Sequence, residues 1–411
     1  MPTVKRAYRY RCYPTDQQAA QLARTLGCVR LVYNKALDAR ATAWSLDQRR
    51  ISYAQTSAML TAWKRTQELA FLNEVSSVPL QQALRHLHAA FTAFWQGRAR
   101  YPRFKSKKRS RASAEYTRSA FRWHQHPDGN GTLTLAKTSQ PLPIRWSRPL
   151  PNGAQPSTVT VSRDAAGRWF VALLVTQTID PLPPVVQQVG LDTGLTSLVT
   201  LSTGEQIANP RHERHNRARL ARAQRNLARK RIGSANRAKA RMKLARVHAR
   251  IADRRRDHLH KLTTRLVREN QAIAIEDLGV RGMTANHTLA RAISDAAWAE
   301  LRRQLEYKCA WYSRDLLVID RFWPSSRTCS TCGRLADTMG LSVREWICRG
   351  CGASHDRDVN AALAAAACGA GGRPQRESSR MGRLAVKQER QRATAGLPAL
   401  KGREEVKLPP W

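Results

Sequence analysis

Along the first 180 residues, apolar positions first alternate as in a strand, then recur at helical spacing, and then alternate again. Residues 3–12 alternate as a strand does, and a helix is predicted to begin after its N-cap, Thr15. Apolar residues then recur at helical spacing until a basic, proline-containing crossing at residues 97–115. Beyond it, residues 157–176 are typical of a β-hairpin that turns at Asp164-Ala165-Ala166-Gly167. The pattern therefore predicts strands on both sides of a helical segment.

A proline-rich segment, Pro181-Leu182-Pro183-Pro184, indicates a domain boundary. After it, a hairpin is predicted to turn at Thr203-Gly204, and Gly233-Ser234 is expected to break a basic helical region into a helical hairpin. Strands that alternate with helices after an opening hairpin indicate a mixed α/β domain. Its other predicted elements are strands at 187–194, 272–278 and 316–320 and helices at 295–313 and 356–367.

Charge is the first indication of function. The 411 residues include 71 Lys and Arg against 30 Asp and Glu, a formal net charge of +41. Such a field repels itself in a compact chain and is tolerated mainly when a polyanion neutralises it. Nucleic acid is the usual polyanion, because each neutralised phosphate releases condensed counterions. The region Arg211 to Arg250 alone carries 15 Lys or Arg and a single acid, Glu213. Charge by itself does not imply an enzyme.

No apolar run approaches the ~20 residues that a membrane span requires, and the basic first residues have no apolar core behind them. We therefore expect a cytoplasmic protein that associates with the nucleoid and has no membrane partner. In a reducing compartment, clustered cysteines indicate metal binding rather than disulfides. Four of the eight cysteines are scattered and are interpreted as ordinary thiols: Cys12, Cys28, Cys309 and Cys368.

The other four cysteines form two C-x-x-C pairs separated by 15 residues, which is the spacing of a zinc ribbon. Each pair aims two thiolates at one tetrahedral ion, and the glycine after each pair, Gly333 or Gly352, is expected to form a tight turn. Four sulfur ligands leave no open position, so one structural Zn²⁺ is predicted. The predicted ligands are Cys329, Cys332, Cys348 and Cys351.

Three acids lie at the ends of predicted elements. Asp192 and Glu276 each end a strand, and Asp358 lies near the start of the last helix. Carboxylates that converge from separate segments can hold the two Mg²⁺ ions, roughly 3.5–4 Å apart, that hydrolyse a phosphodiester. Each acid also has an ordinary interpretation. Asp192 before Thr-Gly is typical of a turn, and Glu276 with Asp277 of a solvated strand end, while Asp356 and Asp358 are typical of a helix cap.

Longer motifs resemble the TnpB (OrfB) family, which bacterial insertion sequences encode and which is similar to the compact type V CRISPR nucleases. The resemblance extends over nearly residues 3–365, in family order. After NAA many relatives continue with Asn-Ile, whereas this chain has LAAAACGAGG, which bears on the packing of the last helix and not on the carboxylates. The matching motifs are YRCYPTDQQ, GCVRLVYNKAL, YAQTS, AFTAFWQGRARYPRFKSKK, VGLDTG, IEDLGVRGM, ARAISDAAW, LEYKCAWY, DRFWPSSRTCSTCG, WICRGCG and HDRDVNAA.

The resemblance implies cleavage of double-stranded DNA that a bound guide RNA selects, beside a short motif read by the protein. It also implies that Asp192, Glu276 and Asp358 are the three carboxylates of a RuvC site and that they bind two Mg²⁺. The expected partners are a guide RNA from the element's own end and the DNA target, with a monomeric protein in the RNA complex.

The fold that the resemblance implies is an α+β multidomain one. An oligonucleotide-binding-like β-barrel (wedge) holds a helical recognition insert, and an RNase H-like (RuvC) α/β domain holds the zinc ribbon. The tail is rich in Gly, Pro, Arg, Gln and Ser and is predicted to be disordered. The expected bounds are 1–15 and 98–180 for the wedge, 16–97 for the insert, 185–323 and 356–368 for the nuclease domain, 324–355 for the ribbon and 369–411 for the tail.

Two further sets of residues are candidates for nucleic-acid contacts. Polar positions of the helical insert and basic positions of the crossing could contact DNA or RNA, or they could form a solvated face: Tyr53, Gln55, Ser57, Gln81, Arg103, Lys105, Lys107 and Lys108. Aromatic residues among the basic ones could stack on unpaired bases, or they could pack inside the barrel: Tyr101, Phe104, Tyr116, Phe121 and Trp123.

Three functions are compatible with these observations. A guided nuclease requires all three carboxylates, and all three are present. A guided or unguided DNA-binding regulator that no longer cuts is the second alternative. A strand-joining or accessory transposase protein is the third, although the sequence has no recognisable Tyr or Ser nucleophile motif.

Overall fold

The computed structural model describes residues 3–108, 110–125, 131–337, 339–340 and 342–369. The tail predicted to be disordered, residues 369–411, lies outside these ranges apart from its first residue. No helix in the described ranges combines the length and apolar character needed to cross a membrane.

The elements follow the predicted order closely. The strands of the described residues are β1 (Thr3–Cys12), β2 (Ala112–Thr117), β3 (Phe121–Gln125), β4 (Gly131–Leu135), β5 (Leu142–Arg145), β6 (Pro156–Arg163), β7 (Trp169–Thr178), β8 (Gln188–Asp192), β9 (Ser197–Leu201), β10 (Gln206–Ala208), β11 (Ala272–Glu276), β12 (Asp315–Ile319), β13 (Glu345–Ile347) and β14 (Ser354–Asp356). The helices are α1 (Asp16–Asp47), α2 (Tyr53–Trp63), α3 (Ser77–Trp95), α4 (His212–Ala228), α5 (Ala235–Glu269), α6 (Val280–Met283), α7 (Ala290–Ala296), α8 (Trp298–Tyr312) and α9 (Arg357–Gly369), with 3₁₀ helices at Gln67–Asn73 and Arg118–Ala120.

The first sheet is a nearly closed, barrel-like antiparallel sheet of seven strands in the order β2-β6-β7-β1-β5-β4-β3. Strand β1 pairs with β7 along its whole length and with β5 at its end. The predicted hairpin between β6 and β7 is confirmed. Its turn places Gly167 at φ +76°, and the backbone N–H of Arg168 donates to Oδ1 of Asp164 at 2.9 Å.

The helical segment packs directly onto this sheet. Thr15 is the N-cap of α1 as predicted, and it forms a reciprocal capping box with Gln18. Buried residues of α1 and α3 lie in the same hydrophobic core as those of the sheet. Examples are Leu37 and Leu84 on the helices and Leu133 and Leu173 on the strands. The expected wedge and its helical insert therefore share one core.

The second sheet has the order β10-β9-β8-β11-β12, with β8, β11 and β12 parallel and the hairpin strands antiparallel. Ile273 and Ile275 of β11 pack into the core that α5 and α8 cover. Ala274, between them, packs instead with Ala365 of α9. Because successive strand residues face opposite sides of a sheet, α9 covers the face opposite to α5 and α8.

Of two helical features predicted from the sequence, one is confirmed and the other differs at its start. The basic helical hairpin is confirmed, because Gly233 adopts φ +87° and Ser234 caps α5 by accepting from the N–H of Arg237. The single helix predicted over 295–313 was wrong at its start, where Ala297 at φ +56° separates α7 from α8. This break allows Asp295 to accept from the N–H of Glu213 while the next helix begins in the core.

Candidate functional site

Asp192 and Glu276 lie side by side at the carboxyl ends of two parallel strands. In the register of β8 and β11, Leu191 pairs with Ile275, so the two acids are the next residues along neighbouring strands. Ile275 belongs to the core under α5 and α8. Successive residues of a strand face opposite sides of the sheet. The two carboxylates, one residue further on, therefore face the side that α9 covers. The structure therefore brings together the two strand-end acids that the sequence singled out.

Helix α9 carries the third acid and packs unusually close to β8. A Cβ added to Gly190 would lie 1.8 Å from the carbonyl oxygen of Ala362, so only glycine allows this approach. Gly190 and Asp192 are two residues apart and share a face of the strand. Asp358 and Ala362 are four residues apart and share a face of the helix. The contact thus directs Asp358 toward the edge where Asp192 and Glu276 lie.

The carboxylates of Glu276 and Asp358 both contribute to the electrostatic environment of Asp192. Burial and the nearby carboxylates of Glu276 and Asp358 raise the pKa of Asp192 to about 7, although Arg357 and Arg344 oppose the shift. Negative charge that raises a neighbour's pKa in this way favours a bound cation. Hard oxygen donors are also the ligands that Mg²⁺ prefers, so these residues fit a magnesium site.

The remaining contacts of these acids come from the cysteine-rich segment. Glu276 Oε1 accepts a hydrogen bond from the Ser325 hydroxyl. Both carboxylate oxygens of Asp358 lie 3.4 Å from Nη1 of Arg344. Ser325 was not predicted, because only the folded chain brings it to Glu276. Its contact orients a carboxylate without neutralising it.

The neighbouring acids Asp277 and Asp356 are engaged in structural contacts. Asp277 forms ion pairs with Arg302 and Arg321, and the Arg302 hydrogen bond lowers its pKa. Oδ1 of Asp356 accepts from the N–H of Val359 at 2.8 Å, which is an N-cap contact for α9. The helix-cap interpretation therefore applies to Asp356.

The cysteine cluster has the geometry of a closed metal site. The thiol sulfurs of the two C-x-x-C pairs lie within 4.8 Å of one another. Gly333 and Gly352 both adopt φ +74°, and each donates its N–H to the carbonyl of the first cysteine of its pair, Cys329 at 2.9 Å and Cys348 at 2.8 Å. Hydrogen bonds from the backbone N–H groups of Cys351 and Gly350 lower the pKa of Cys348, and Gly350 N lies 3.4 Å from its Sγ, so these backbone groups favour the thiolate that zinc binds. These residues fit zinc.

His355 is a neighbour of this cluster that sequence reasoning missed. Its Nε2 lies 3.1 Å from Sγ of Cys329, and its ring lies 4.8 Å from that of Trp346. The signal was present in the motif HDRDVNAA, but spacing gave no reason to join it to the cysteines. Within the described part of the chain, these cysteines are the one set of three or more His, Cys, Asp or Glu ligand atoms gathered within 4.8 Å. Within that part of the chain, oxygens of Asp192, Glu276 and Asp358 do not all lie within 4.8 Å of one another.

A cavity of about 510 Å³ opens beside Glu276. Arginine side chains form much of its wall, and the buried aromatic side chain of Trp298 forms another part. The wall also includes Glu276 and Glu306, and three of its arginines already form ion pairs: Arg302 and Arg321 with Asp277, and Arg303 with Glu300. The basic residues of the wall are Arg281, Arg302, Arg303 and Arg321.

The candidate nucleic-acid contacts fall into exposed and engaged residues. Arg103, Lys107, Lys108 and Gln81 are exposed, Ser57 is half-buried, and all five remain predictions.

Three of the polar candidates already have partners. Lys105 lies with Nζ 3.8 Å from the ring centroid of Tyr33. The hydroxyl of Tyr53 accepts from Arg85 at 3.3 Å. Gln55 caps the start of α2 by accepting from the N–H of Ser52. These contacts limit how freely the three side chains can turn toward a ligand.

The aromatic candidates divide in the same way. Tyr116 and Phe121 are buried in the core of the first sheet, and Trp123 packs against Trp146. For these three residues the packing interpretation is correct. Tyr101 is 38% exposed but already packs edge-on against Phe91 and Phe94, with ring centroids 5.5 and 5.4 Å away. Phe104 is 55% exposed, and its stacking on a base stays a prediction.

Comparison with known proteins places these features in a family. Residues 170–287 match a family profile described as "Probable transposase" (OrfB of IS605), and residues 298–364 match one described as "Cas12f1-like, TNB domain". Residues 1–49 match a "Helix-turn-helix domain" profile, although here they form β1 and the single helix α1. A Streptomyces pristinaespiralis protein named "Putative RNA-guided DNA endonuclease" is 68% identical over 97% of this chain and 100% of its own length. This chain belongs to the TnpB family.

A second relative supports the TnpB assignment, and a solved structure shares the fold. The Escherichia coli (strain K12) protein named "Putative RNA-guided DNA endonuclease InsQ" is 33% identical, over 87% of this chain and 90% of its own. The cryo-EM structure of the Cas12f1-sgRNA-target DNA complex contains a chain of similar fold, with a TM-score of 0.57 and 13% identity. That similarity covers 89% of this chain and 99% of the other. The resemblance inferred from motifs is thereby confirmed at the level of family and α+β fold.

Proposed function

We propose that this TnpB protein is an RNA-guided endonuclease that cleaves double-stranded DNA next to a short motif read by the protein. The observation that carries the proposal is the convergence of Asp192, Glu276 and Asp358 on one sheet edge, supported by the raised pKa of Asp192. The names of the Streptomyces and Escherichia relatives support the same activity. In this proposal the carboxylates form a RuvC-type site in an RNase H-like domain.

The three carboxylates would hold two Mg²⁺, which supply an activated water and neutralise the charge on the leaving oxygen. Asp192 is buried, and the carboxylates of Glu276 and Asp358 both act on it, so its side chain would be one of the ligands that hold the ions. Glu276 is oriented by Ser325, and Asp358 is placed by the Gly190 contact. The carboxylates thus provide position and negative charge, while Asp277 and Asp356 stabilise the surrounding backbone.

Affinity for nucleic acid would come from other parts of the protein. The net charge of +41 and the basic helices α4 and α5 are suited to gripping the backbones of a guide RNA and its DNA partner. The barrel-like sheet would act as an oligonucleotide-binding wedge and α1–α3 as the recognition insert. The zinc ribbon would be structural, and one protein chain would bind one guide RNA from the element's own end.

The proposal is tested with the protein purified together with its RNA. The copurified RNA is sequenced, and a plasmid bearing a matching target beside a randomised flank is then incubated with the complex and Mg²⁺. We expect linear plasmid only when guide and target match, with one short flanking motif enriched. Guide-dependent binding without cutting would instead support a regulator, and joined DNA ends would support a transposase.

A further inference from the structure

Asn360 is a buried side chain that ties the start of α9 to the first pair of cysteines. It is 1% exposed. Its Oδ1 accepts from the backbone N–H of Ser330 at 2.9 Å, and its Nδ2 donates to the carbonyl of Thr328 at 2.8 Å. Thr328 and Ser330 are the two neighbours of Cys329. The amide therefore holds the backbone on both sides of a predicted zinc ligand.

The same short stretch of α9 carries the catalytic candidate. Asp358 lies two residues before Asn360 in the first turn of the helix. The chain enters this turn directly from β14, where His355 contacts the sulfur of Cys329. The cysteine-rich segment also reaches the other end of the site, because Ser325 donates to Glu276. Side-chain hydrogen bonds of Ser325 and Asn360 thus join the cysteine-rich segment to Glu276 and to the helix that carries Asp358.

We propose that Asn360 is a positioning residue through which the zinc site fixes Asp358, an inference that rests on the proposed function. A closed four-cysteine site would fix the backbone around Cys329. The two amide bonds then carry this fixed position to the first turn of α9. Since both polar atoms of Asn360 are buried, losing either partner leaves a buried polar group without a hydrogen bond, which is unfavourable. The position of the first turn of α9 therefore depends on the position of the first cysteine pair.

The coupling must work in both directions. If the cysteine pair stabilises the position of Asp358, the docked helix must equally stabilise the closed cysteine site. Replacing Asn360 by Ala should then loosen both ends while leaving all seven proposed ligands in the chain. A zinc measurement and a magnesium measurement on one variant can therefore detect the link.

The experiment compares wild type, Asn360→Ala and a matched control in the RNA-bound complex. The control is Asn270→Ala, which removes another buried amide, one at the end of α5 that donates to the carbonyl of Leu266 at 3.0 Å. Three quantities are measured: the rate at which a chelating dye extracts zinc, the Mg²⁺ concentration for half-maximal cleavage, and the Kd for guide-matched DNA.

For Asn360→Ala we expect zinc extraction and the Mg²⁺ requirement each to rise about 5-fold or more, as coupling of this kind usually gives. Target binding should stay within about 3-fold of wild type, because base pairing and distributed basic contacts supply it. Asn270→Ala should leave the zinc and magnesium measurements unchanged. Equal zinc extraction and equal Mg²⁺ requirement in the two variants would overturn the proposal. If wild type itself never cuts, the proposed function fails, whereas zinc extraction still decides whether Asn360 couples α9 to the cysteines.

Discussion

The backbone carbonyl of Ala362 packs directly against the Cα of Gly190, so helix α9 lies closer to strand β8 than any side chain would permit. Because Asp192 follows Gly190 by two residues and Asp358 precedes Ala362 by one helical turn, this single contact sets how the first and third acids meet. Gly190 acts here through space alone, since its φ is not in the left-handed region.

Replacing Gly190 by Ala should push α9 away from the sheet. Overpacking of this kind typically costs about 1–3 kcal/mol of unfolding free energy, and we expect cleavage to fall by at least about 10-fold. Denaturant unfolding and plasmid cleavage measure the two effects. The control is Gly27→Ala within α1, where no described atom lies within 4 Å of the new Cβ and where Ala should be neutral or stabilise by roughly 0.5–1 kcal/mol. Normal cleavage by the Gly190 variant would show that the approach of α9 is unimportant.

The raised pKa of Asp192 predicts a pH-dependent stability. Its native pKa is about 7 against an ordinary value of 3.8, so between these values the native state keeps a proton that the unfolded state releases. Stability should therefore fall as pH rises through this window in Mg²⁺-free protein. Asp192→Asn removes the charge and should be more stable than wild type at pH 8, by at most ~4 kcal/mol, and not at pH 4. Urea unfolding at both values checks this, and parallel pH profiles would contradict it.

The cysteine cluster predicts one tightly bound zinc ion. Cys348→Ser should lose close to one equivalent of zinc and destabilise residues 324–355, since structural zinc in isolated finger peptides contributes about 10–16 kcal/mol. Metal analysis by mass spectrometry gives the stoichiometry. Cys368→Ser, at a partly exposed thiol outside the cluster, should keep its zinc. Wild-type protein purified without zinc would argue against the ribbon.

The basic hairpin of α4 and α5 predicts salt-sensitive binding of RNA. The affinity should fall with rising salt, with log K decreasing by about 0.7–0.9 per phosphate contact against the logarithm of salt concentration. Replacing the exposed Arg222, Arg225 and Arg229 by Gln should reduce that slope by the equivalent of up to about three phosphate contacts. RNA binding is measured at several salt concentrations between about 50 and about 400 mM, where counterion release dominates the salt dependence. An unchanged slope would mean that this part of α4 is only a solvated face.

Local chemistry was predictable from the sequence wherever neighbouring residues determine it. The Thr15 cap, the turn at Gly204 and the paired turns at Gly333 and Gly352 depend on residues close in the chain, and all are as predicted. Family motifs singled out the three acids, and their assignment as metal ligands stays a prediction. The residues alone did not distinguish Asp358 from Asp356, whose carboxylate caps α9.

Contacts between distant segments were not predictable. Ser325 meets Glu276 across 49 positions, and Asn360 reaches the backbone of Ser330 across 30. The close approach at Gly190 depends on which helix covers that strand, which no local pattern encodes. Similarly, the break at Ala297 follows from tertiary contacts of Asp295 and not from the helical periodicity of the segment.

The central claim is that Asp192, Glu276 and Asp358, and not their acidic neighbours, perform the cleavage. Asp358 and Asp356 provide the sharpest comparison, because Asn caps a helix as well as Asp does. Asp356→Asn should therefore preserve the contact to Val359 and cut nearly normally. Asp358→Asn removes a ligand charge and should lower the rate by at least about 10²-fold, with guide-dependent DNA binding within a few-fold of wild type.

The most direct measurement is the single-turnover rate of cleavage of a guide-matched plasmid in Mg²⁺ by these two variants, each assayed beside wild type. We expect loss of cutting of both strands for Asp358→Asn, the same loss for Asp192→Asn and Glu276→Gln, and near-normal cutting for Asp356→Asn. Normal cutting by Asp358→Asn together with loss in Asp356→Asn would contradict the assignment of the third ligand. Normal cutting by all three site variants would contradict the nuclease site itself.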